Sequence, residues 1–173
     1  NFFVKNNDCL YDNINISGDC DNIYIIAPGI NELRHRGVIE KLIKDDHSKL
    51  VLSLNNINFV EETLIDYVVV SNPSKLISDL ELHNNESYNL ILPYSSLNKE
   101  INNKINRNGV YNYPITVSQN NFSVNSEGCV LPNASVLSYA LAISVLYRAT
   151  NVYLIGFDGY QKGDSRHIDT NKI

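Results

Sequence analysis

The chain has 173 residues, is 43% hydrophobic and carries a formal net charge of -5, a size and composition that fit one domain with a buried core. An acidic balance without a cluster of Lys and Arg argues against nucleic-acid binding as the main function. The sequence has no apolar run near the roughly 20 residues of a membrane-spanning helix. Its three widely spaced cysteines predict no disulfide framework and favour a reducing, cytoplasmic environment.

The amino-terminal segment differs in character from the rest of the chain. Residues 1–21 mix Asn, Asp and Gly with isolated hydrophobic residues, which is typical of a linker or an irregular lead-in. Residues 22–173 are predicted to form one α/β domain. Because the sequence contains no Met, we expect it to be a carboxyl-terminal fragment of a longer protein.

The first predicted unit is a strand, a turn and a helix. Ile23–Ala27 is a short apolar run that ends at Pro28-Gly29, as buried strands often do before a turn. Apolar residues then recur at helical spacing over residues 38–43, which predicts an amphipathic helix that ends near Lys44. A strand followed by a helix is the basic unit of a parallel sheet.

Further elements of the same two kinds follow along the chain. The sequence predicts strands at Leu50–Leu54, Tyr67–Val70, Leu90–Leu92 and Val152–Ile155, and a helix from Ser135 to about Tyr147. Asn133 or Ser135 can cap the start of that helix. The alternation predicts a three-layer, Rossmann-like α/β fold, with a mainly parallel sheet and helices on both faces.

Polar or small residues stand directly after the predicted strands, where open α/β sheets bind their ligands. Gly29, Asn55 and Asn72 follow the first three strands, and Asp158 and Tyr160 follow the last. Asn side chains both donate and accept hydrogen bonds, so they suit a nucleobase edge, ribose hydroxyls or a sugar. The alternative is that these are ordinary turn residues.

The sequence offers few candidates for other chemistry. It lacks the glycine-rich dinucleotide and phosphate loops, the serine nucleophile elbow and the His-Glu-x-x-His zinc motif. Asp158 could hold a metal or could bond to its own turn. His167 could act as a general base or be a solvated loop residue. The other histidines, His35, His47 and His83, are expected on the surface.

Five short motifs follow one another along the chain, namely Ile26–Gly29, Ser53–Asn55, Asn72-Pro73, Asn133–Ser135 and Tyr153–Tyr160. Taken in this order, they resemble the motifs of small bacterial sialyltransferases and related glycosyltransferase-like domains. The resemblance spans about residues 22 to 171. It is closest to a version of the domain that follows an HMG-CoA-lyase-like (4-hydroxy-2-oxovalerate-type) aldolase. An aldolase-like domain at the amino-terminal side is therefore an expected partner.

The resemblance implies a nucleotide sugar as donor, CMP-linked in sialyltransferases, with no metal or other cofactor. It implies donor contacts for Gly29, Asn55, Asn72, Ser135 and Tyr160. Three further residues are substrate-binding candidates, namely Asn133, Asp158 and Arg166. Arg166 is a candidate phosphate partner, in place of the second phosphate-binding tyrosine of the family. The family's histidine base lies beyond the last residue of this chain, so His167 is a separate candidate catalytic residue.

These observations favour a nucleotide-sugar-binding, glycosyltransferase-like domain that transfers a sugar without a metal, or a relic of such an enzyme. The alternatives are a non-catalytic accessory or binding domain of an aldolase-like enzyme, and a structural or oligomerising domain. The expected ligand is a small nucleotide or sugar. Whether the chain is an enzyme, and whether it forms a homo-oligomer, stay open at this point.

Overall fold

A computed structural model describes residues 12–14, 20–56 and 60–157, except for the side chains of residues 13 and 30–34. The strands in this part are β1 (Asp12–Asn13), β2 (Asn22–Ile26), β3 (Lys49–Leu54), β4 (Tyr67–Val69), β5 (Asn89–Leu92), β6 (Val110–Asn112), β7 (Ile115–Val117), β8 (Ser123–Asn125), β9 (Gly128–Leu131) and β10 (Asn151–Ile155). The α-helices are α1 (Ile30–Asp45), α2 (Pro73–Ser78), α3 (Leu80–Asn85), α4 (Lys99–Asn102) and α5 (Val136–Leu146).

Seven strands form one sheet in the order β1-β6-β5-β4-β3-β2-β10, and every pair in it is parallel. The predicted α/β fold is thereby confirmed. From β2 the chain adds β3, β4, β5 and β6 in one direction, and β10 then pairs with the other side of β2. The direction of chain growth therefore reverses between β2 and β10, and the carboxyl ends of these strands share one edge.

Each face of the sheet has its own apolar core. In β2, Ile23 and Ile25 belong to one core, and Tyr24 and Ile26 belong to the other. Helix α5 packs on the first face, and α1, α2 and α3 pack on the second. Helices thus cover both faces of the sheet, as the sequence predicts. Because both faces of β2 are buried, its sequence is a continuous apolar run.

Several parts of the structure have no counterpart in the predicted elements, among them β6 and the short helices α2, α3 and α4. Strand β1, in the stretch predicted to be irregular, pairs with β6 through Asp12 and Tyr111. A second sheet with the order β7-β9-β8 lies against α5, where Cys129 and Leu131 join the core. Strand β9 is the last strand of this small sheet along the chain, and residues 132–135 connect it to α5.

Strand β10 forms one edge of the main sheet. Val152, Tyr153 and Leu154 are each more than a third exposed. Tyr153 stacks on Tyr24 with the two ring centroids 4.9 Å apart, which anchors the edge strand to the core. None of the helices within the described residues is long and apolar enough to cross a membrane.

The sequence predicts His83 on the surface, but the residue is buried, with an exposed fraction of 1%. The prediction is wrong because His83 lies on the inner side of α3, where its Nδ1 is 2.6 Å from the Tyr88 hydroxyl. Arg107 donates to the carbonyls of both residues. Burial lowers the pKa of His83 to about 4; the Asp79 carboxylate opposes this shift, and the cations of Arg107 and Lys75 add to it.

This buried histidine predicts an acid-sensitive stability. Because the pKa of His83 is about 4 in the folded chain, well below its ordinary value, the unfolded chain takes up the proton first as the pH falls. The free energy of unfolding should therefore fall by up to a few kcal/mol between about pH 6.5 and pH 4. Above that range His83 contributes no pH dependence.

Urea unfolding followed by circular dichroism across this pH range measures the effect. His83→Asn keeps a hydrogen-bonding atom near Tyr88 but does not titrate, so the slope against pH should be shallower in this variant. The exposed His47 provides the control, and His47→Asn should keep the wild-type slope. Equal slopes for wild type and His83→Asn would contradict the assignment.

Candidate functional site

A cleft of about 510 Å³ opens at the carboxyl ends of β2 and β10, where the direction of chain growth reverses. Its walls come from the turns after β2, β3 and β10 and from the start of α5. The lining residues are Ala27, Pro28, Gly29, Leu54, Asn55, Ser135, Val136, Leu137, Gly156 and Phe157. The sheet topology alone therefore explains the position of the cleft.

Two glycines allow the turns after β2 and β10 to touch. A Cβ atom on Gly29 would lie 2.4 Å from the carbonyl oxygen of Gly156, a distance that real Cβ contacts do not reach. Gly156 itself has a φ of 77°, in the left-handed region that glycine adopts without strain. The Ala27 N–H donates to the Ile155 carbonyl at 2.9 Å. The two turns are thus fixed side by side in the wall of the cleft.

Asn55 occupies the turn after β3 in a left-handed conformation, with a φ of 67°, which Asn tolerates better than most residues. Its N–H donates to the Val69 carbonyl at 2.9 Å. The buried hydroxyl of Ser53 donates to the Asn56 carbonyl at 2.7 Å. These bonds hold the turn in place while the Asn55 side chain stays partly exposed to the cleft.

The start of α5 is tightly capped. Ser135 Oγ accepts a bond from the N–H of Ser138 at 3.1 Å, and Asn133 Oδ1 accepts one from the N–H of Ser135 at 3.0 Å. The first two N–H groups of the helix, those of Val136 and Leu137, have no acceptor among the described residues. They belong to residues that line the cleft, so the positive end of the helix dipole lies in its wall.

The described lining of the cleft is uncharged and mostly apolar. Side chains of Pro28, Leu54, Leu137 and Phe157 supply flat or aliphatic surface, and Asn55 is one of the few polar groups among them. Apolar walls with a few convergent hydrogen-bonding groups are typical of sites for small organic ligands. Together with helix N–H donors, the arrangement suits a ring system attached to an anionic group.

Of the predicted site residues, Gly29, Asn55 and Ser135 line the cleft. The fold therefore brings these three together, although they are far apart in the chain; that they bind a donor stays a prediction. The remaining predicted positions of the carboxyl-terminal stretch lie outside the described residues; they are Asp158, Tyr160, Arg166 and His167.

Asn72 and Asn133 stand nearby but serve as caps rather than as lining. Asn72 follows β4, at the same sheet edge as Gly29 and Asn55. Its side chain accepts a bond from the N–H of Ser74 at 2.9 Å and so begins α2. Asn133 Oδ1 is likewise used in the cap before α5. Both are exposed, and neither is part of the cleft wall.

The apolar half of the lining was not predicted from the sequence. The predicted site residues are mostly polar, whereas Leu54, Leu137 and Phe157 contribute carbon surface to the cleft. A usable signal was present, because Gly156-Phe157 lies inside the last of the five motifs and directly after a predicted strand. Phe157 is the residue this signal identifies, because it is large and apolar, lies beyond the end of a strand and belongs to neither core.

No group of three or more His, Cys, Asp or Glu side chains in the described part of the chain is arranged to hold a metal ion. Comparisons of the chain with protein-family models, with curated proteins and with solved structures find no match. The resemblance to sialyltransferases thus stands on the five motifs.

The glycine contact predicts an unequal response to two alanine substitutions. Gly29→Ala should lower the free energy of unfolding by about 1–3 kcal/mol, because the new Cβ collides with the backbone of Gly156. The φ of Gly29 is -79°, so alanine adds no backbone strain at this position. The loss in free energy of unfolding therefore measures the collision alone.

Gly37→Ala is the matched control. Gly37 lies in α1 with nothing within 4 Å of its added Cβ, and alanine favours a helix over glycine by about 0.5–1 kcal/mol. This variant should therefore be slightly more stable than wild type. Chemical unfolding of the three proteins measures the difference, and a Gly29→Ala protein as stable as Gly37→Ala would refute the close contact.

Proposed function

We propose that this chain is a glycosyltransferase-like domain that binds a nucleotide sugar in the cleft at the carboxyl ends of β2 and β10. The observation that carries the proposal is the place of the cleft. It lies where the direction of chain growth reverses, beyond the carboxyl ends of parallel strands, and open α/β sheets bind nucleotides there. The resemblance of the five motifs to sialyltransferases supports the same function.

The groups that line the cleft suit the different parts of such a ligand. The N–H groups of Val136 and Leu137 suit the phosphate, because a helix start combines free donors with a favourable dipole. Phe157 and Pro28 offer surface for a base or sugar ring. The Asn55 amide can pair with a base edge or a hydroxyl, since it both donates and accepts.

In this proposal the sugar is transferred without a metal. The bond between the anomeric carbon and the phosphate oxygen breaks, and the acceptor hydroxyl forms the new bond and loses its proton to a base. The helix start stabilises the negative charge on the departing phosphate. The resemblance adds Tyr160 at the phosphate. Arg166 is a candidate phosphate partner in place of the family's second tyrosine, and His167 is the candidate base.

A second candidate function is a binding domain without catalysis, attached to an aldolase-like enzyme. The observation that favours it is that none of the described cleft-lining side chains titrates, so none of them can accept the acceptor proton. The cysteine spacing favours a cytoplasmic setting for either function.

Calorimetry with CMP tests the proposed ligand. We expect CMP to bind with unchanged affinity after EDTA treatment, because the proposed phosphate contacts are helix N–H groups rather than a metal. Binding that EDTA abolishes would refute metal independence. Failure of CMP, UMP and their sugar conjugates to bind would refute the proposed function itself.

Phe157→Ala tests whether the cleft is the binding site. Removing the ring should weaken CMP binding by about 0.5–1.5 kcal/mol, since an aromatic contact is lost. Phe122 is the control, because it is also an exposed phenylalanine, 60% exposed against 39% for Phe157, but does not line the cleft. An equal loss of affinity in Phe122→Ala would place the ligand elsewhere.

Hydrolysis of a CMP-sugar donor separates an enzyme from a binding domain. If His167 is the base, His167→Ala should lower the rate by about 10²- to 10⁴-fold and leave donor affinity nearly unchanged. If the domain only binds, the wild-type chain should bind the donor without measurable turnover. Turnover that persists in His167→Ala would remove His167 from the mechanism.

A further inference from the structure

A buried hydroxyl connects the sheet to the segment that begins α5. Ser71 lies two residues after β4, and its exposed fraction is 5%. Its Oγ donates to the Ala134 carbonyl at 3.0 Å, across 63 residues of sequence. Ala134 directly precedes Ser135, which caps α5 and lines the cleft. The bond therefore holds this wall of the cleft from its buried side.

The end of β4 holds both sides of the cleft. On one side, the Val69 carbonyl accepts the N–H of Asn55. On the other, Ser71 holds Ala134. These two attachment points are only two residues apart on one strand end. They therefore set the distance between the turn of Asn55 and the start of α5, which face the same cleft.

The capping bonds before α5 cannot set the distance between the start of α5 and the turn of Asn55. They join Asn133, Ser135 and Ser138 to one another, so they fix the shape of the segment and not its position on the sheet. The body of α5 is held by fully buried residues such as Tyr139 and Ile143, whereas Val136 and Leu137 at its start pack against the same core while only partly buried. The Ser71 bond adds a hydrogen bond to the end of β4 directly before this less buried start.

We propose that Ser71 is a positioning residue of the cleft. By holding Ala134 against the end of β4, it keeps the first N–H groups of α5 opposite Asn55, and so sets the affinity for the phosphate end of the ligand. The affinity part of this inference rests on the proposed function. The positioning part concerns the chain alone and can be measured without a ligand.

Ser144 provides a matched control for the loss of a buried hydroxyl. It is 2% exposed and donates to the Ala140 carbonyl at 3.0 Å within α5 itself. Ser71→Ala and Ser144→Ala each remove one buried hydroxyl bond to a backbone carbonyl, but Ser144 does not line the cleft or hold the start of the helix. A purely structural role of Ser71 would make the two variants behave alike.

The first measurement compares CMP with cytidine by calorimetry. Ser71→Ala should weaken CMP binding about 3- to 10-fold, as expected for a misplaced hydrogen-bonding group, and should leave cytidine affinity nearly unchanged. Ser144→Ala should bind both like wild type, and Ser71→Thr, which keeps the hydroxyl, should restore CMP affinity. Equal CMP affinities in Ser71→Ala and Ser144→Ala, or an equal loss for cytidine, would overturn the proposal.

The second measurement is hydrogen exchange of the ligand-free chain. The amides of Ser138 and Tyr139, which bond to Ser135, should exchange faster in Ser71→Ala and at the wild-type rate in Ser144→Ala. Unchanged exchange in Ser71→Ala overturns the positioning role, whether or not CMP binds. Faster exchange in a chain that binds neither CMP nor cytidine supports the positioning role and contradicts only the proposed function.

Discussion

The close contact between the turns after β2 and β10 is the constraint on which the candidate site depends. Because Gly29 has no Cβ, its backbone can lie against that of Gly156, so neighbouring parallel strands can end side by side before their chains diverge. α1 begins directly after Gly29, and Phe157 directly follows Gly156. A larger residue at position 29 would separate the two turns and change the wall of the cleft.

Behind this contact, buried hydroxyls hold the loops of the site. Ser53 and Ser71 lie near the ends of neighbouring strands, and each donates to a backbone carbonyl of a cleft-forming segment. A polar group without a partner would be costly at such depth, so these bonds also constrain where the loops can go. The result is a cleft whose walls are loops and a helix start, held by a rigid sheet.

The fold was largely readable from the sequence because central parallel strands are buried on both faces and appear as unbroken apolar runs. β1 and β8 escaped prediction because Asp12–Asn13 and Ser123–Asn125 are short and polar, and become strands only by pairing with distant segments. His83 was misplaced because its sequence neighbours are polar. Gly29 and Asn55 line the cleft and stand directly after predicted strands, whereas Asn72, in the same kind of position, caps helix α2, a local role with the same residue preference.

A stacked pair of tyrosines lies on each face of the sheet. The chain has eleven tyrosines and no tryptophan, so tyrosine dominates its near-ultraviolet signal. Tyr24 stacks on Tyr153 of the edge strand on one face, and Tyr113 stacks on Tyr139 of α5 on the other. Fraying of the sheet edge would therefore remove the contribution of the Tyr24–Tyr153 pair from the summed tyrosine circular dichroism and leave that of the Tyr113–Tyr139 pair in place.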